Sequence, residues 1–465
     1  MEKVSRRKFL QFTSASALIY SAGLSCVVRK PRAQKPNIIF LLTDDQRWDT
    51  MGCMGNTIIK TPNMDALAKD GVLFKNAFVT TSICCVSRAS IFLGQYARRH
   101  HINDFKTDFT AEQVSQTYPM LLKKNGYRIG FIGKYGVGKK MPTDQYDFWR
   151  GISGQPVYEH TDENGHPKHL TKIMGEQALE FLSGVTVDKP FCLSISFKAP
   201  HVQDGDPRQF IYDPAFKDYY KDDTIPVPET ADPKYYEAFP AFFKKNNEGR
   251  RRWQIRFSTP EKYQESVKSY YRLITGVDGV IGKIRDALVE QKLDKNTVII
   301  LLGDNGFYLG EHGLAGKWFG HEESIRVPLI IYDPQLPPQL RGQKRDEMAL
   351  NIDIAPTILS LAGVQIPQSM QGRDLMALIK GNAKNWRHDF LYEHLFKHPA
   401  IPRSEGVVDE RFKYLRYIDQ KPVYEELYDL KNDPHEENNL AAEKEYAPVL
   451  QKMRKRCDAL IAAES

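Results

Sequence analysis

Two apolar runs, each followed at once by oxygen-bearing side chains, restrict the folds open to this chain. They are residues 37–43 (NIIFLLT) and 297–302 (TVIILL). A run that is apolar on both faces is typical of a central strand in a parallel sheet that helices cover on both sides. We therefore predict an α/β fold. Ligands bind such sheets beyond the carboxyl ends of the strands, and the side chains found there are Asp44, Asp45, Asp304 and Asn305.

This set of side chains offers only oxygen atoms to a ligand. Adjacent carboxylates at a buried strand end are costly unless a cation neutralises them. An all-oxygen set suits Ca²⁺ better than Zn²⁺. The alternative for Asp44 and Asp45 alone is a solvated turn, but the recurrence of the pattern after the second run favours a metal site.

A stretch with two adjacent cysteines lies between the two runs. Residues 84–96 have the sequence CCVSRASIFLGQY, so Cys84 lies just before a predicted helix, with Arg88 four residues further on. Free backbone N–H groups and the helix dipole favour anions there, and Arg88 adds a planar cation. The stretch is suited to holding a tetrahedral oxyanion against a nucleophile. The alternative is a pair of buried structural cysteines, since free Cys is commonly a core residue.

Two further predicted strands end in groups that can contact anions. Residues 127–132 lead into a Gly-rich turn that carries Lys134, and residues 190–197 lead to His201. A Lys in a Gly-rich turn can approach an anion closely. A lone His after a strand is commonly structural, but with other anion-binding groups predicted nearby we favour a functional role for His201.

The order C-x-x-S-R-x-S…G-x-Y around Cys84 resembles the signature of the type I sulfatases, members of the alkaline phosphatase superfamily. This resemblance implies that a formylglycine-generating enzyme oxidises Cys84 to formylglycine, whose hydrate is the nucleophile. Val86 stands where the family has Pro or Ala.

The resemblance covers nearly all of the chain after residue 33. The two acidic strand ends match the calcium site of the family, and Lys134 matches its G-K-W-H-x-G motif, although Gly136 stands where the family has His. The sequences GEHG at 310–313 and ELYDL at 426–430 continue the match.

Roles for individual residues follow from this resemblance. It implies that Asp44, Asp45, Asp304 and Asn305 bind Ca²⁺. Arg88 would orient the formylglycine hydrate, and Lys134 and Lys317 would hold the sulfate oxygens. His201 or Lys317 would protonate the departing oxygen, and His312 would face the leaving group.

The fold implied is an alkaline-phosphatase-like, large, mixed and mostly parallel sheet between helices, followed by a small C-terminal α+β domain. We expect an export signal at 1–33, a catalytic domain at 34–365 and the small domain at 366–465. The function implied is hydrolysis of sulfate esters on a sulfated polysaccharide or oligosaccharide. The alternatives are a phosphonate monoester or phosphodiester hydrolase of the same superfamily, and a non-catalytic relative that binds polyanions.

The first 33 residues have the features of a twin-arginine signal. The sequence SRRKFL at 5–10 precedes a modest apolar run that is too short to span a bilayer stably. We expect transport by the twin-arginine translocase to the periplasm or beyond. Cys26 is not expected to carry a lipid, because no apolar residue lies three positions before it. The segment holds seven basic residues against one acidic, nearly all of the formal net charge of +7, so we expect no nucleic-acid partner.

Residues 202–262 are the least regular part of the sequence and contain a basic cluster around Trp253. Cations beside an exposed aromatic ring suit a sulfated sugar. A solvated basic loop is the preferred interpretation of the cluster on its own. Its members are Lys244, Lys245, Arg250, Arg251, Arg252 and Arg256.

Overall fold

The two apolar runs lie side by side in the middle of an eight-stranded sheet. Asn37–Asp44 pairs in parallel with Thr297–Gly303 on one side and with Phe191–Pro200 on the other. Leu329–Tyr332 alone runs antiparallel to its neighbours in this sheet, so the predicted mixed, mostly parallel sheet is confirmed. In spatial order the strands are Gln343–Arg345, Val72–Phe74, Leu329–Tyr332, Thr297–Gly303, Asn37–Asp44, Phe191–Pro200, Arg128–Lys134 and Phe148–Ile152.

The structure, a computed structural model, describes residues 34–465. The predicted export signal and Cys26 lie outside the described residues. Residues 35–465 form one compact unit, and a division between residues 365 and 366 stays a prediction. Within the described part of the chain, no helix combines the length and the apolar character that crossing a membrane requires.

Helices cover both faces of the sheet because the central strands are apolar on both. Phe40 and Leu42 point into one buried cluster, and Ile39 and Leu41 point into the other. Side chains alternate between the two faces of a strand, so each face of the sheet needs a layer of helices. The first face packs against Cys84–Leu93, Tyr118–Lys124 and Ile354–Leu361, and the second against Pro62–Asp70, Leu170–Ser183 and Pro260–Glu290.

A four-stranded antiparallel sheet with a long terminal helix forms the C-terminal part of the fold, as predicted. Its strands are Asp389–His394, Ser404–Asp409, Phe412–Tyr417 and Tyr424–Asp429, and the helix is Ala447–Glu464. Two-stranded ribbons pair Ala77–Phe78 with Ala349–Leu350, Glu159–Thr161 with Pro167–His169, and Tyr308–Leu309 with Ala315–Gly316. The remaining short helices outside 202–259 are Ala97–His100, Ala111–Gln116, Glu322–Ile325 and Leu375–Ile379.

The segment that we expected to be irregular contains short helices. They are Pro233–Ala238, Ala241–Lys245 and Glu248–Arg256. Side chains cap two of them, because Asp232 accepts from the Lys234 amide and Asn247 from the Arg250 amide. The basic cluster of the sequence therefore lies mainly on a helix and not on a solvated loop.

Asp353 is a buried residue that links separate segments of the chain, and we expect its removal to destabilise the fold. It is fully buried, forms an ion pair with Arg387, and accepts hydrogen bonds from the amides of Leu350 and Arg373. Replacing it with Ala leaves the Arg387 guanidinium buried without its partner, so Asp353→Ala should lower the free energy of unfolding by about 3–5 kcal/mol. Urea unfolding followed by circular dichroism measures this change.

The matched control is Asp389→Ala, which removes the partner of Arg456, a side chain that is 47% exposed. An exposed pair contributes about 0–1 kcal/mol. Equal losses in the two variants would contradict the structural role of Asp353.

Candidate active site

The carboxyl ends of neighbouring strands bring the predicted residues to one edge of the sheet. Asp44 and Lys134 are the last residues of their strands. His201 directly follows Phe191–Pro200, and Asp304 directly follows Thr297–Gly303. The pairing of these parallel strands sets their ends side by side, so residues far apart in sequence meet here.

Cys84 faces this edge from the first turn of its own helix. The helix Cys84–Leu93 begins at this residue, and the side chain is 1% exposed. Its Sγ lies within 4.8 Å of carboxylate oxygens of Asp44 and Asp304. Burial raises the pKa of the Cys84 thiol, against the lowering effect of nearby lysines. A thiol that keeps its proton is a poor nucleophile, so the unmodified Cys84 side chain is not suited to act as one.

Three buried carboxylates repel one another at the bottom of the site. Asp44, Asp45 and Asp304 are each at most 1% exposed. Burial raises the pKa of Asp304 to about 7, and the Asp44 charge adds to this rise. Burial also raises the pKa of Asp45. At Asp44 burial alone would raise the pKa, but the neighbouring positive charges together, of which Lys134 contributes most, outweigh burial and lower this pKa. The group therefore needs positive charge to stay ionised.

Three buried cations supply part of this charge. Lys134 Nζ donates to Asp44 Oδ2 at 2.5 Å, and Lys317 Nζ donates to Asp45 Oδ1. Arg88 Nε donates to Asp304 Oδ2 at 2.9 Å. Burial alone would lower the pKa of Lys134, but Asp44 and the other nearby acidic groups together outweigh burial and raise this pKa. Each carboxylate thus has its own cation.

Several oxygen atoms in this group have no hydrogen-bond partner among residues 34–465. They are Asp44 Oδ1, Asp45 Oδ2 and Asn305 Oδ1, all of them buried. Asn305 uses its amide group to donate to Asp45 Oδ1 at 2.6 Å, which leaves its own oxygen free. Buried polar atoms without partners are rare and call for an explanation. Free oxygens from carboxylates and an amide are the ligands of a hard cation, so these residues fit Ca²⁺.

His201 presents one nitrogen to the site. Its Nδ1 lies 2.6 Å from the carbonyl oxygen of Val202, which can only accept, so Nδ1 carries the proton. The Gln155 amide lies 3.5 Å from Nε2. Burial, with help from Lys317, lowers the pKa of His201 well below its ordinary value. His201 is therefore a neutral imidazole with an accepting Nε2.

His312 lies apart from this group. Its ring stacks on His321 with 4.7 Å between centroids, and its Nε2 has no hydrogen-bond partner in the described range. Burial lowers the pKa of His312 to about 4. It is not one of the residues lining the cavity at Cys84. The predicted contact with a leaving group has no support in this geometry, and the motif position alone suggested it.

Cys84 lies at the bottom of a cavity of about 180 Å³. His201 and Lys317 share this floor. The walls combine aromatic and charged side chains: Phe105, Trp318, Phe396, Asp204, Glu248 and Arg252. Sequence reasoning missed these wall residues, except for Arg252 as one member of a basic cluster. They come from separate segments and belong to no motif.

The basic cluster is largely neutralised by its neighbours. Arg251 and Arg252 bind Glu248, and Lys244 binds Glu237. The Arg250 guanidinium lies 3.9 Å from the centre of the Trp253 ring, which is half-buried and not exposed as predicted. Of the cluster, Arg252 is the member that lines the cavity.

Gly136 lies directly against the Arg88 side chain. Its φ is +75°, and a Cβ at this position would lie 2.6 Å from Arg88 Cδ. The turn after Lys134 therefore has no room for a side chain beside the guanidinium. In this chain Arg88 fills the space next to the turn where the family pattern has His.

Comparison with known proteins agrees with this geometry. The sequence model of the sulfatase family matches residues 36–364. The chain belongs to the sulfatase family. A second family model, N-sulphoglucosamine sulphohydrolase, C-terminal, matches residues 310–463 of this sulfatase.

Relatives and solved structures place the protein among the type I sulfatases, with the fold of alkaline phosphatase. It is 29% identical to the N-acetylglucosamine-6-O-sulfatase of Bacteroides thetaiotaomicron, over 90% of this chain and 85% of that protein. It is 29% identical to an arylsulfatase of Clostridium perfringens, over 90% and 93%. A solved complex of a protein with its substrate D-glucosamine-2-N,6-O-disulfate superposes with a TM-score of 0.81 at 26% identity, covering 93% of this chain and 98% of that one. The protein is therefore an enzyme that hydrolyses sulfuric esters.

Gly136→Ala should impair the enzyme by displacing Arg88. A shift of about 1 Å in a catalytic group can cost about 100-fold in rate, so we expect kcat on a sulfate ester to fall about 10- to 100-fold. Steady-state kinetics measures this loss.

Gly154→Ala is the matched control, because Gly154 also has a positive φ, +66°, but no heavy atom lies within 4 Å of the point that a Cβ would occupy there. Both variants carry the same type of backbone strain. If they lose activity equally, strain and not contact with Arg88 explains the effect.

Proposed function

We propose that this sulfatase removes sulfate from sugar residues of sulfated glycans, with formylglycine derived from Cys84 as its nucleophile and Ca²⁺ as its metal. The observation that carries the proposal is that Cys84, which lines the cavity, lies within 4.8 Å of the buried carboxylates of Asp44 and Asp304. The sugar substrate is supported by relatives, since one is named for N-acetylglucosamine 6-O-sulfate and a structural neighbour holds a disulfated glucosamine.

Asp44, Asp45, Asp304 and Asn305 would hold Ca²⁺. The free oxygens of Asp44, Asp45 and Asn305 support this set, and Asp304 would join them as the buried carboxylate beside Asp44. When bound, the cation supplies positive charge that stabilises a sulfate oxygen and lowers the pKa of a nearby hydroxyl group.

The burial of Cys84 supports the part of the proposal that makes formylglycine the nucleophile. Because its thiol keeps its proton, oxidation to formylglycine would replace a poor nucleophile with an aldehyde hydrate. Twin-arginine transport carries folded proteins, so a formylglycine-generating enzyme would act on Cys84 in the cytoplasm. The finished enzyme would then work in the periplasm or outside the cell.

The buried cations bind and orient the sulfate group. Lys134 and Lys317 both have raised pKa values, because the acidic groups around each lysine, chiefly Asp44 for Lys134 and Asp45 for Lys317, together outweigh the effect of burial. They stay protonated and can hold sulfate oxygens by hydrogen bonds. Arg88 is fixed by Asp304 and by the carbonyl oxygen of Lys134 at 2.7 Å, so it can orient the nucleophile. Preorganised charge of this kind is commonly the largest source of rate enhancement.

Two groups can take part in the proton transfer that the departing sugar oxygen requires. Lys317 lines the cavity and carries a proton in the resting enzyme. His201 also lines the cavity, but its Nε2 is an acceptor until it gains a proton. The resting site therefore favours Lys317 as donor, with His201 Nε2 able to receive a proton in the second half of the reaction.

Replacing Cys84 tests the nucleophile. We expect the wild type to turn over glucosamine 6-sulfate faster than a phosphate diester, and Cys84→Ala to abolish turnover, because no aldehyde can form. Cys85→Ala, its equally buried neighbour, should keep most activity. Peptide mass spectrometry of the active enzyme should find Cys84 as formylglycine.

Unmodified Cys84 in fully active enzyme would contradict this assignment. Faster turnover of the phosphate diester would instead identify a phosphodiester hydrolase that uses the same groups.

Calcium should stabilise the folded protein. At a concentration about 100 times its dissociation constant, a ligand of the folded state adds about 2.7 kcal/mol to the free energy of unfolding. Thermal unfolding with and without Ca²⁺ measures this gain independently of turnover. Asp304→Asn removes a ligand charge and should abolish most of the gain.

Asp144→Asn, at an exposed position outside the site, is the control and should respond to Ca²⁺ as the wild type does. A gain of the same size in Asp304→Asn would place the ion elsewhere.

A further inference from the structure

One wall of the cavity holds a guanidinium and a carboxylate side by side. Arg252 Nη1 donates to Asp204 Oδ1 at 2.9 Å, and Arg252 Nε donates to Glu248 Oε1 at 2.6 Å. The Arg252 guanidinium also lies over the Trp318 ring, 5.1 Å from its centre. All four side chains line the same cavity as Cys84.

Each member of the Asp204–Arg252 pair keeps one edge free. Arg252 Nη2 and Asp204 Oδ2 form no hydrogen bond within residues 34–465, since the bonds of this pair use Nη1, Nε and Oδ1. The Arg252 side chain is 20% exposed and that of Asp204 is 47% exposed, so both free edges are accessible. The wall thus offers a donor next to an acceptor.

The pair is held in place by its surroundings. The Glu248 side chain is 7% exposed and also binds Arg251. Arg256 is fully buried, and its Nη2 lies 3.6 Å from Asp204 Oδ1. Arg252 therefore meets a ligand with little further loss of side-chain freedom, which favours binding.

The charge of the wall decides which ligand it suits. Of the side chains that line the cavity on this wall, one is a cation, Arg252, and two are carboxylates, Asp204 and Glu248, so the wall has no excess positive charge for a second sulfate. A carboxylate edge also repels anions. Adjacent sugar hydroxyls are neutral, and each can donate and accept at once. They match a donor beside an acceptor.

The cavity is also lined by aromatic side chains. Phe105 and Phe396 contact each other edge to face, with 5.7 Å between centroids. Together with Trp318 they offer apolar faces to the C–H groups of a sugar ring. The cavity, of about 180 Å³, therefore offers a sugar ring both apolar contacts and the hydrogen-bonding groups of the charged wall.

We infer that Asp204 and Arg252 bind two adjacent hydroxyl groups of the sugar whose sulfate lies at Cys84, and so select the substrate. This inference rests on the proposed function. It assigns the enzyme a sugar whose hydroxyls on this side are free of sulfate.

The test compares two substrates in two variants. Glucosamine 6-sulfate carries adjacent hydroxyls, and 4-nitrophenyl sulfate carries none. For Arg252→Gln and for Asp204→Ala, kcat/KM on the sugar sulfate should fall about 10- to 100-fold, the cost of a lost hydrogen bond to a charged group. The ratio of sugar to aryl kcat/KM should fall at least about tenfold.

Arg251→Gln is the matched control. Arg251 binds the same Glu248, but its side chain is 67% exposed and it does not line the cavity. The substrate ratio should stay at the wild-type value in this variant. Equal losses on both substrates in Arg252→Gln would show a structural role and overturn the inference. An unchanged ratio in both wall variants would also overturn it.

Binding separates this inference from the proposed function. Isothermal titration of the Cys84→Ala protein with glucosamine 6-sulfate needs no turnover. If the wild type hydrolyses neither ester, the proposed function fails. Weaker binding of the sugar sulfate after a further Arg252→Gln substitution still supports the inference that Arg252 binds the sugar. Unchanged or undetectable binding of the sugar sulfate contradicts it.

Discussion

Opposite charges held out of water at the carboxyl edge of the sheet are the constraint on which this structure depends. Asp44, Asp45 and Asp304 are buried within reach of one another and are paired with Lys134 and Arg88, among others. Isolated buried charges would be prohibitively costly. Each acidic group is tolerable only because a cation is fixed beside it, and the fold supplies these cations from separate strands and helices.

The parallel sheet makes this balance possible. Its strands end at the same edge, so their last residues lie together. The helices on both faces of the sheet help to exclude water from these residues. The helix that begins at Cys84 adds a thiol and Arg88 from one layer. The result is a floor of fixed, paired charges beside Cys84, and under the proposed function this floor would hold the sulfate group while the walls would select the sugar.

Sequence reasoning found the floor of the site because its signals are local. A buried run followed by Asp44, or by Asp304, indicates both the strand and the place where it ends. The family resemblance added Lys317, which no periodicity would single out. His312 was placed by its motif position alone. Its ring packs against that of His321 and does not line the cavity at Cys84, so its role stays a prediction.

The walls could not be predicted from the sequence for a physical reason. Asp204 and Arg252 lie 48 positions apart, in a segment without regular periodicity, and only tertiary packing joins them. Gly136 is similar. Its sequence position showed that a side chain was missing, but only the fold shows that Arg88 occupies the space.

The strand Asn37–Asp44 is hydrogen-bonded to neighbours on both sides, whereas Asp204 and Arg252 belong to loops and short helices. Segments with fewer buried contacts open at lower cost than central strands. If this wall selects the sugar, mild warming should loosen it before the charged floor. Within that interval the enzyme should discriminate less between substrates while it still cleaves, so promiscuity should precede inactivation.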